Sequence, residues 1–459
     1  MKITIENFGP IHHCEFDLDK DFHLIVGENN VGKSYAVKII YIILKSANNL
    51  NQTSHTDIDI SVEWKDKWES IGQNNIQIIV EDLIKSFLNK TFVENLRTYL
   101  IRTFEDSSVL LNQFSGKSSC IKLDIESSIV TLGVVENQFE MQSFCFKEKV
   151  GLEQGQLPDS KAINRKNIYY KNDYARSKNI AVSGFILRSV SDFYLEVLDQ
   201  IGGFDYIPAS RSGLYLALSS FGQIIAELSK SRSVLTSKIE LPSIPEPLSD
   251  YFINLSNIDI GKKNDESSAF GKIAEQIERE ILKGKVSHDP KTKRLVFVPD
   301  STTLQLDLSS TSSMVSELSP IVSYIRYVLR EPKLHKVLEL QGDKLKKLML
   351  IIEEPETHLH PEIQIKLTEI FAALSRVGVK ILITTHSNYI FHKLNNLILG
   401  KQIDINMIEA SVFKMTENGS EGLLLNIDEL GIDDDNFLDT AEQLYNEKAE
   451  LIQKLNENV

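Results

Sequence analysis

Residues 27–34 of this 459-residue chain read GENNVGKS, a pattern that permits few local folds. Its glycines let the backbone curl so that N–H groups face phosphate oxygens, and the dipole of a following helix adds attraction. Lys33 is placed to reach the β- and γ-phosphates of a nucleotide, and Ser34 to ligate Mg²⁺. The pattern predicts an ATP site, with Mg²⁺ as second cofactor, made by Gly27, Glu28, Asn29, Asn30, Val31, Gly32, Lys33 and Ser34.

The segments on either side of this motif fit a phosphate-binding loop. KITIENF, CEFDLD and FHLIV precede it and predict three strands, with a turn at Gly9-Pro10 after the first. YAVKIIYIILKSA follows the motif and predicts an apolar helix. The loop is therefore expected between the end of a strand and the start of a helix, which is the context that the motif requires.

A second part of the site is predicted more than three hundred residues later. The apolar segment LMLIIEEPE at 348–356 predicts a buried strand that delivers Glu353 and Glu354 at its C-terminal end, where ligands bind in α/β sheets. Glu353 would hold Mg²⁺, and Glu354 would orient and deprotonate the attacking water. The reverse assignment of the two carboxylates stays open, and so does a solvated acidic loop.

A third part is His386, at the end of the strand predicted by VKILITT. A histidine in this place could sense the γ-phosphate or the attacking water, and we take it as a second catalytic residue. A single histidine is more often structural, so its position supports the site without defining it.

Composition limits the class of protein. The chain is 42% apolar, enough for two or three structural units. It has no apolar run of about 18 residues to span a membrane. Its start, MKITIENFGPIHHC, has polar groups where a signal peptide needs an apolar stretch. Three cysteines without a CxxC motif fit a reducing compartment, so the sequence predicts a cytoplasmic protein without a membrane partner.

The predicted order of elements gives an α/β fold in four parts. Residues 1–47 form the N-terminal part of an ATPase, and 204–400 its C-terminal part. Residues 48–203 form an inserted lobe of helices and a small antiparallel sheet, the latter from SSCIKLDIES and SIVTLGVV. Residues 401–459 supply the last strands and an acidic helix at 438–457. This last part holds 14 acidic and 4 basic residues, so most of the net charge of −14 is local.

These motifs together resemble the ABC-type ATPase heads of the RecF, SMC and OLD (overcoming lysogenisation defect) families. The start IENFGPI, the P-loop, the Glu353-Glu354 pair and His386 carry the likeness. EEPETHLHP at 353–361 and PASRSG at 208–213 are similar to the OLD-like branch. The resemblance covers about residues 1–47 and 204–400. It implies an ABC-type P-loop ATPase head that closes around ATP as a homodimer or larger homo-oligomer.

In proteins of this type a loop from a second subunit completes the ATP site. The nearest match is 309–314, SSTSSM, ahead of a predicted helix, and Ser312 and Ser313 are its candidate phosphate contacts. The chain departs from the family here, because the glycines of an LSGGQ-like motif are missing. An ordinary helix cap is the alternative. Likewise His358 and His360, in the place of the D-loop, could instead be a metal pair.

The resemblance also shows what this chain lacks. SMC-like relatives carry a long coiled coil, yet the insertion has no sustained heptads. Full-length OLD proteins add a Toprim nuclease after the ATPase, for which too few residues follow here. The acidic run IDDDNFLD at 432–439 is better explained as a solvated loop than as a metal site.

A basic, tyrosine-containing loop at 161–178 is the candidate nucleic-acid surface. Its cations would contact phosphates while its tyrosines stack on bases. A flexible solvated loop is the simpler explanation. The residues in question are Lys161, Arg165, Lys166, Lys171, Arg176 and Lys178, with Tyr169, Tyr170 and Tyr174.

Three functions remain open. The first is a slow ATPase that is not itself a nuclease. It would act as the sensor subunit of a prokaryotic antiviral system, similar to the Septu, PARIS and retron-associated ATPases, with a separate HNH or Toprim nuclease as effector. The second is a RecF-like DNA-repair ATPase that binds DNA directly. The third is an ATP-gated scaffold that hydrolyses very slowly.

Overall fold

The computed structural model describes residues 1–49, 75–136, 138–155, 167–171, 175–199, 201–217, 244–259, 261, 263–289, 294–329, 346–433 and 445–449. An eleven-stranded mixed sheet runs through the molecule. Its strands, in chain order, are β1 (Lys2–Phe8), β2 (Ile11–Asp17), β3 (Phe22–Gly27), β4 (Cys120–Asp124), β5 (Ser128–Val135), β6 (Gln138–Phe146), β9 (Ile201–Ile207), β13 (Lys347–Glu353), β14 (Val379–Thr385), β15 (Ile408–Thr416) and β16 (Gly419–Leu424).

The other strands of the described residues form three small sheets. They are β7 (Gly151–Gln154) with β8 (Asn167–Tyr170), the meander β10 (Gly284–His288), β11 (Leu295–Pro299) and β12 (Leu306–Asp307), and the pair β17 (Ile427–Asp428) and β18 (Gly431–Ile432).

Within the described residues, nine α-helices have defined ends. They are α1 (Lys33–Asn48), α2 (Ile76–Leu88), α3 (Glu94–Phe104), α4 (Ala175–Val197), α5 (Glu246–Ser256), α6 (Ala269–Gln276), α7 (Ser313–Ser323), α8 (Pro361–Arg376) and α9 (Asn388–Leu399). Three of them, α2, α6 and α7, continue into π-helical segments, at Asn89–Val93, Ile277–Leu282 and Tyr324–Val328. The longest, α4, has 23 residues, so no long coiled coil occurs in the part of the chain that the structure describes.

Strand order places the site. The sheet runs β6-β5-β4-β1-β2-β16-β15-β3-β14-β13-β9. The last five strands in this order are mutually parallel, so their C-terminal ends meet at one edge. The P-loop follows β3, His386 follows β14, and Glu353 ends β13. Because these three strands are neighbours, residues far apart in sequence come together at that edge.

Alternation along the central strands divides the core between two faces of the sheet. In β13, Met349 and Ile351 pack on one side with α1 and the helices of the insertion. Leu348, Leu350 and Ile352 pack on the other side with α6 to α9. These strands are apolar on both faces, as parallel strands covered by helices must be.

The inserted lobe is mixed helical and β, as predicted, but its strands do not form a separate small sheet. The edge of β1 pairs antiparallel with β4, from Lys2 opposite Asp124 to Glu6 opposite Cys120. β5 and β6 then extend the same sheet. The prediction of a small separate sheet was wrong because the open hydrogen-bonding edge of β1 accepts the inserted strands directly. The insertion consequently shares one hydrophobic core with the N-terminal part.

The region predicted as a basic loop is partly regular structure. Residues 167–170 form β8, which pairs parallel with β7, and α4 begins at Ala175. The Lys178 ammonium lies 4.9 Å from the centre of the Tyr170 ring, so this tyrosine already stacks against a cation. Lys171 is exposed. Lys161, Arg165, Lys166 and Tyr174 lie outside the described residues, as do Asp434, Asp435 and most of the predicted C-terminal helix.

Candidate functional site

The P-loop passes from β3 into α1, and two of its glycines are required by close packing. A Cβ on Gly27 would lie 2.5 Å from the carbonyl oxygen of Phe413 on β15. Gly32 has φ +84°, and a Cβ there would lie 3.1 Å from Pro10 in the β1–β2 turn. No other residue fits these positions without strain. Glu28, Asn29 and Asn30 are exposed between the two glycines, so the loop's outer surface is open.

The Lys33 side chain lies under this loop. It is only 5% exposed, and its Nζ donates to the carbonyl oxygens of Gly27 at 3.0 Å and Glu28 at 2.6 Å. Burial lowers the pKa of Lys33 to about 8, against the opposing effect of three nearby glutamates, Glu354, Glu356 and Glu353. The P-loop thus fixes the position of the Lys33 ammonium, which would contact the phosphates of a nucleotide bound in the same loop.

Ser34, the next residue, contacts the second part of the site. Its Oγ donates to Oε2 of Glu353 at 3.2 Å, across 319 positions of sequence. The other oxygen of that carboxylate accepts from the Tyr206 hydroxyl at 2.6 Å. Burial raises the pKa of Glu353, partly offset by Lys38 and by these two hydrogen bonds. Tyr206 and Ser34 therefore fix both oxygens of one buried carboxylate.

Glu354 begins the turn after β13 in a strained conformation, with φ +42°. Its backbone N–H donates to the Thr384 carbonyl at 2.9 Å, which ties the turn to β14. Oε1 of its carboxylate lies 3.4 Å from Nε2 of His386. The hydrogen bond from His386 lowers the pKa of Glu354, so this carboxylate is kept charged at neutral pH.

Arg211, in the PASRSG segment, is a site residue to which the sequence pattern assigned no role. Its side chain is fully buried and donates to the carbonyl oxygens of Glu353, Glu354 and Pro355 at 3.2–3.4 Å. Burial lowers its pKa, opposed first by Glu317 of α7. Nε of Arg211 lies 3.4 Å from Oε2 of Glu317. One guanidinium thus braces the turn that carries the paired glutamates.

Two further side chains were missed. Tyr206 is the penultimate residue of β9, and only its place at a strand end could have indicated a role. Glu356 is the last acid of the EEPE run, and its Oε1 accepts the backbone N–H of His386 at 2.6 Å. Sequence spacing offers no means of choosing among three glutamates within four residues.

The serine loop lies apart from the P-loop of its own chain. Ser312 caps α7, since its Oγ accepts the backbone N–H of Val315 at 3.4 Å. Ser312 and Ser313 are both exposed. No hydrogen bond joins either of them to the P-loop within the described ranges. Within one chain Ser312 therefore acts as an ordinary helix cap. A contact between this loop and a nucleotide phosphate would have to involve the P-loop of a second chain.

The two histidines of the THLH segment have separate surroundings. His360 caps α8 by accepting the backbone N–H of Glu362 at 3.4 Å. His358 lies 3.6 Å from Glu317 and is exposed. Among the described residues no group of three or more His, Cys, Asp or Glu is arranged to hold a metal ion. In the same ranges no helix has the length and apolar character needed to cross a membrane.

Three solved structures with similar chain courses are SMC heads. The SMC head bound to the C-winged helix domain of ScpA is 9% identical, with TM-score 0.42, covering 93% of this chain and 98% of that one. The SMC head domain from Thermotoga maritima is 8% identical, with TM-score 0.36 and the same coverage. The Smc head domain with an extended coiled coil, bound to the C-terminal domain of ScpA from Pyrococcus furiosus, is 9% identical, with TM-score 0.40, covering 98% of each chain.

The sequence itself matches a known family. No curated protein matches the chain. A family model described as AAA ATPase domain, however, matches residues 1–391, which include the P-loop, the glutamate pair and His386. The match and the sheet together confirm the predicted α/β ATPase fold with a mixed helical and β insertion. Because the match spans most of the sequence and both halves of the site, the chain belongs to the AAA ATPase domain family.

Proposed function

We propose that this protein binds Mg-ATP in the P-loop and hydrolyses it slowly. The observation that carries the proposal is the meeting of two distant segments. Ser34 Oγ reaches the Glu353 carboxylate at 3.2 Å, while Lys33 Nζ and Glu354 both lie within 3.4 Å of the His386 ring. A buried cation, two acids and a histidine at the open end of a parallel sheet suit phosphoryl transfer to water.

The donor set fits the nucleotide and its metal. The exposed backbone of residues 28–30 and the start of α1 would receive phosphate oxygens, and Lys33 would leave its two carbonyl partners for the β- and γ-phosphates. Ser34 and Glu353 offer adjacent hard oxygen ligands and would hold Mg²⁺. When bound, the metal supplies charge neutralisation on the phosphates.

Glu354 has the character of a general base for the attacking water. Its carboxylate stays ionised because His386 lowers its pKa, and it is half-buried rather than sealed. Glu353 is buried and each of its oxygens accepts one hydrogen bond, from Tyr206 or Ser34, which suits a fixed metal ligand better than a base that must reach a mobile water. His386 would hold the water or the γ-phosphate between Lys33 and Glu354.

Calorimetry on Lys33→Ala tests the nucleotide site. The variant removes the one cation placed for the β- and γ-phosphates, so ATP affinity should fall about tenfold or more, or about 1.4 kcal/mol. Lys122→Ala, at an exposed lysine of β4 away from the site, is the matched control. Unchanged affinity in Lys33→Ala would overturn the proposal.

We further propose that the protein works as a nucleotide-controlled dimer or larger homo-oligomer with a separate effector. The exposure of Ser312 and Ser313 supports a contact between subunits. The likeness of EEPETHLHP to OLD-like ATPases supports a role as the sensor subunit of an antiviral system with an HNH or Toprim nuclease. We expect a nuclease of this kind, encoded in a neighbouring reading frame, to co-purify with the protein. We also expect the isolated chain to cleave neither DNA nor RNA with Mg²⁺ or Mn²⁺. Robust cleavage by the isolated chain would refute this part.

A further inference from the structure

Glu356 lies beside the site but has no part in the hydrolysis proposed above. It is the second residue after Glu354, in the turn between β13 and α8. Its Oε1 accepts the backbone N–H of His386 at 2.6 Å, across 30 positions of sequence. One carboxylate thus joins the turn that carries the paired glutamates to the turn that follows β14.

This hydrogen bond acts at the place where His386 leaves the sheet. β14 ends at Thr385, so His386 is the first residue after the strand, and its N–H donates to a side chain. On the other side, the Ser387 hydroxyl donates to Oε1 of Gln364 at 2.5 Å, and Ser387 caps α9. Glu356 therefore holds the His386 backbone directly, and Gln364 anchors the next residue through the Ser387 hydroxyl.

The orientation that results is the one the chemistry needs. The His386 ring lies with Nε2 at 3.1 Å from Lys33 Nζ and at 3.4 Å from Oε1 of Glu354. The His386 side chain is one quarter exposed, so the position of its backbone decides whether the ring reaches both groups. The short hydrogen bond that the His386 N–H donates to the Glu356 carboxylate fixes that position.

The other oxygen of Glu356 argues against a purely stabilising role. Oε2 is buried and makes no hydrogen bond within the described part of the chain, although the Thr385 hydroxyl lies near it. A buried carboxylate oxygen without a partner destabilises a fold. The contribution of Glu356 that the structure shows is therefore the bond that its other oxygen accepts from the His386 N–H.

We propose that Glu356 is a positioning residue, which holds the His386 ring between Lys33 and Glu354 through the backbone N–H of His386. It sets the rate of hydrolysis and leaves nucleotide binding unchanged. The inference rests on the proposed function of the site, and its test includes a measurement that does not depend on ATP hydrolysis.

Two substitutions separate the hydrogen bond from the charge. Glu356→Ala should lower kcat about tenfold or more while KM for ATP stays the same. Glu356→Gln should keep most of the activity, because its amide oxygen accepts the same bond. Glu362→Ala, which removes an exposed carboxylate in the first turn of α8, is the control and should have no effect. An equal loss in Glu356→Gln and Glu356→Ala overturns the inference, as does a parallel rise in KM with a lower melting temperature.

A double-mutant cycle tests whether Glu356 acts through His386. In a His386→Ala background, Glu356→Ala should change kcat little further, because the ring that it positions is gone. Fully additive losses would show that Glu356 acts on the reaction by another route.

Selective ¹⁵N-histidine labelling reads the bond directly in the full-length protein. The His386 amide, identified by its loss in His386→Ala, should be shifted downfield in the wild type and in Glu356→Gln, and upfield in Glu356→Ala. This result together with no ATP hydrolysis by the wild type would refute the proposed function and keep the Glu356–His386 link. An unchanged amide shift in Glu356→Ala, in a protein that does hydrolyse ATP, would refute the link alone.

Discussion

Nζ of Lys33 lies 3.1 Å from Nε2 of His386, although 353 positions of sequence separate the two residues. The contact exists because β3 and β14 are parallel neighbours, with Val26 beside Thr385 at their C-terminal ends. Lys33 and Glu354 thus both lie close to the His386 ring. Each of the first two predictions below depends on this grouping.

His386→Ala should reduce turnover without loss of nucleotide binding. The ring contacts Lys33 and Glu354 but makes no hydrogen bond to the P-loop backbone within the described residues. We expect kcat to fall about tenfold or more, since a group that positions the reacting water is removed. ATP affinity by calorimetry should stay within the error of the wild type. A large loss of affinity would instead place His386 among the binding residues.

Glu354→Gln should bind ATP and fail to hydrolyse it, because an amide accepts no proton from water. Retained nucleotide should also hold the closed dimer together, which light scattering would detect. Glu353→Gln should weaken Mg²⁺-dependent binding, since it places an amide where Ser34 and Tyr206 now donate to a carboxylate. The opposite ranking of the two variants, in turnover and nucleotide retention, would exchange the roles of the two glutamates.

Mixed oligomers test the serine loop. Ser312 and Ser313 are exposed at the start of α7, so a partner's nucleotide can reach them. One subunit would carry Ser312→Ala and Ser313→Ala, and the other Lys33→Ala. Such a mixed dimer keeps one intact composite site and should regain up to half of the activity, while each variant alone stays inactive. A strictly monomeric wild type with the same rate per chain at every dilution would contradict this prediction.

Asp205→Asn should stabilise the protein at neutral and alkaline pH. Burial, with the nearby Asp250, raises the pKa of Asp205 from 3.8 to about 7, and Asn254 donates to it at 3.0 Å. The unfolded chain releases this proton near pH 3.8 and the folded chain only near pH 7. The stability that the protonated group contributes is therefore complete below pH 3.8 and is lost as the pH rises to about 7.

Thermal melts across this range check the prediction for Asp205. The melting temperatures of wild type and Asp205→Asn should agree near pH 4 and separate progressively, with the variant higher, up to about pH 7. Asp199→Asn, at an exposed carboxylate, is the matched control. A constant difference at every pH would mean that Asp205 titrates alike in the folded and unfolded protein.

The sequence by itself determined the local elements of the site. The apolar strands before Gly27 and before Glu353, the helix after Ser34 and the strand before His386 all lie where their periodicity predicted. Those features depend on neighbouring residues, because alternation and glycine spacing are local properties of the chain. The P-loop, the glutamate pair and the histidine could therefore be named without the fold.

Only the tertiary structure decided which of these residues meet and what supports them. The bond between Ser34 and Glu353 depends on strand order in a parallel sheet, which long crossover connections determine and local spacing does not. The same is true of Arg211 beneath the glutamate turn and of Glu356 at the His386 N–H. Tertiary structure also decided that the inserted strands extend the main sheet at β1 and do not form a sheet of their own. Buried polar groups and open strand edges need hydrogen-bond partners, and the fold decides which residues come close enough to be those partners. The linear sequence pattern does not identify them.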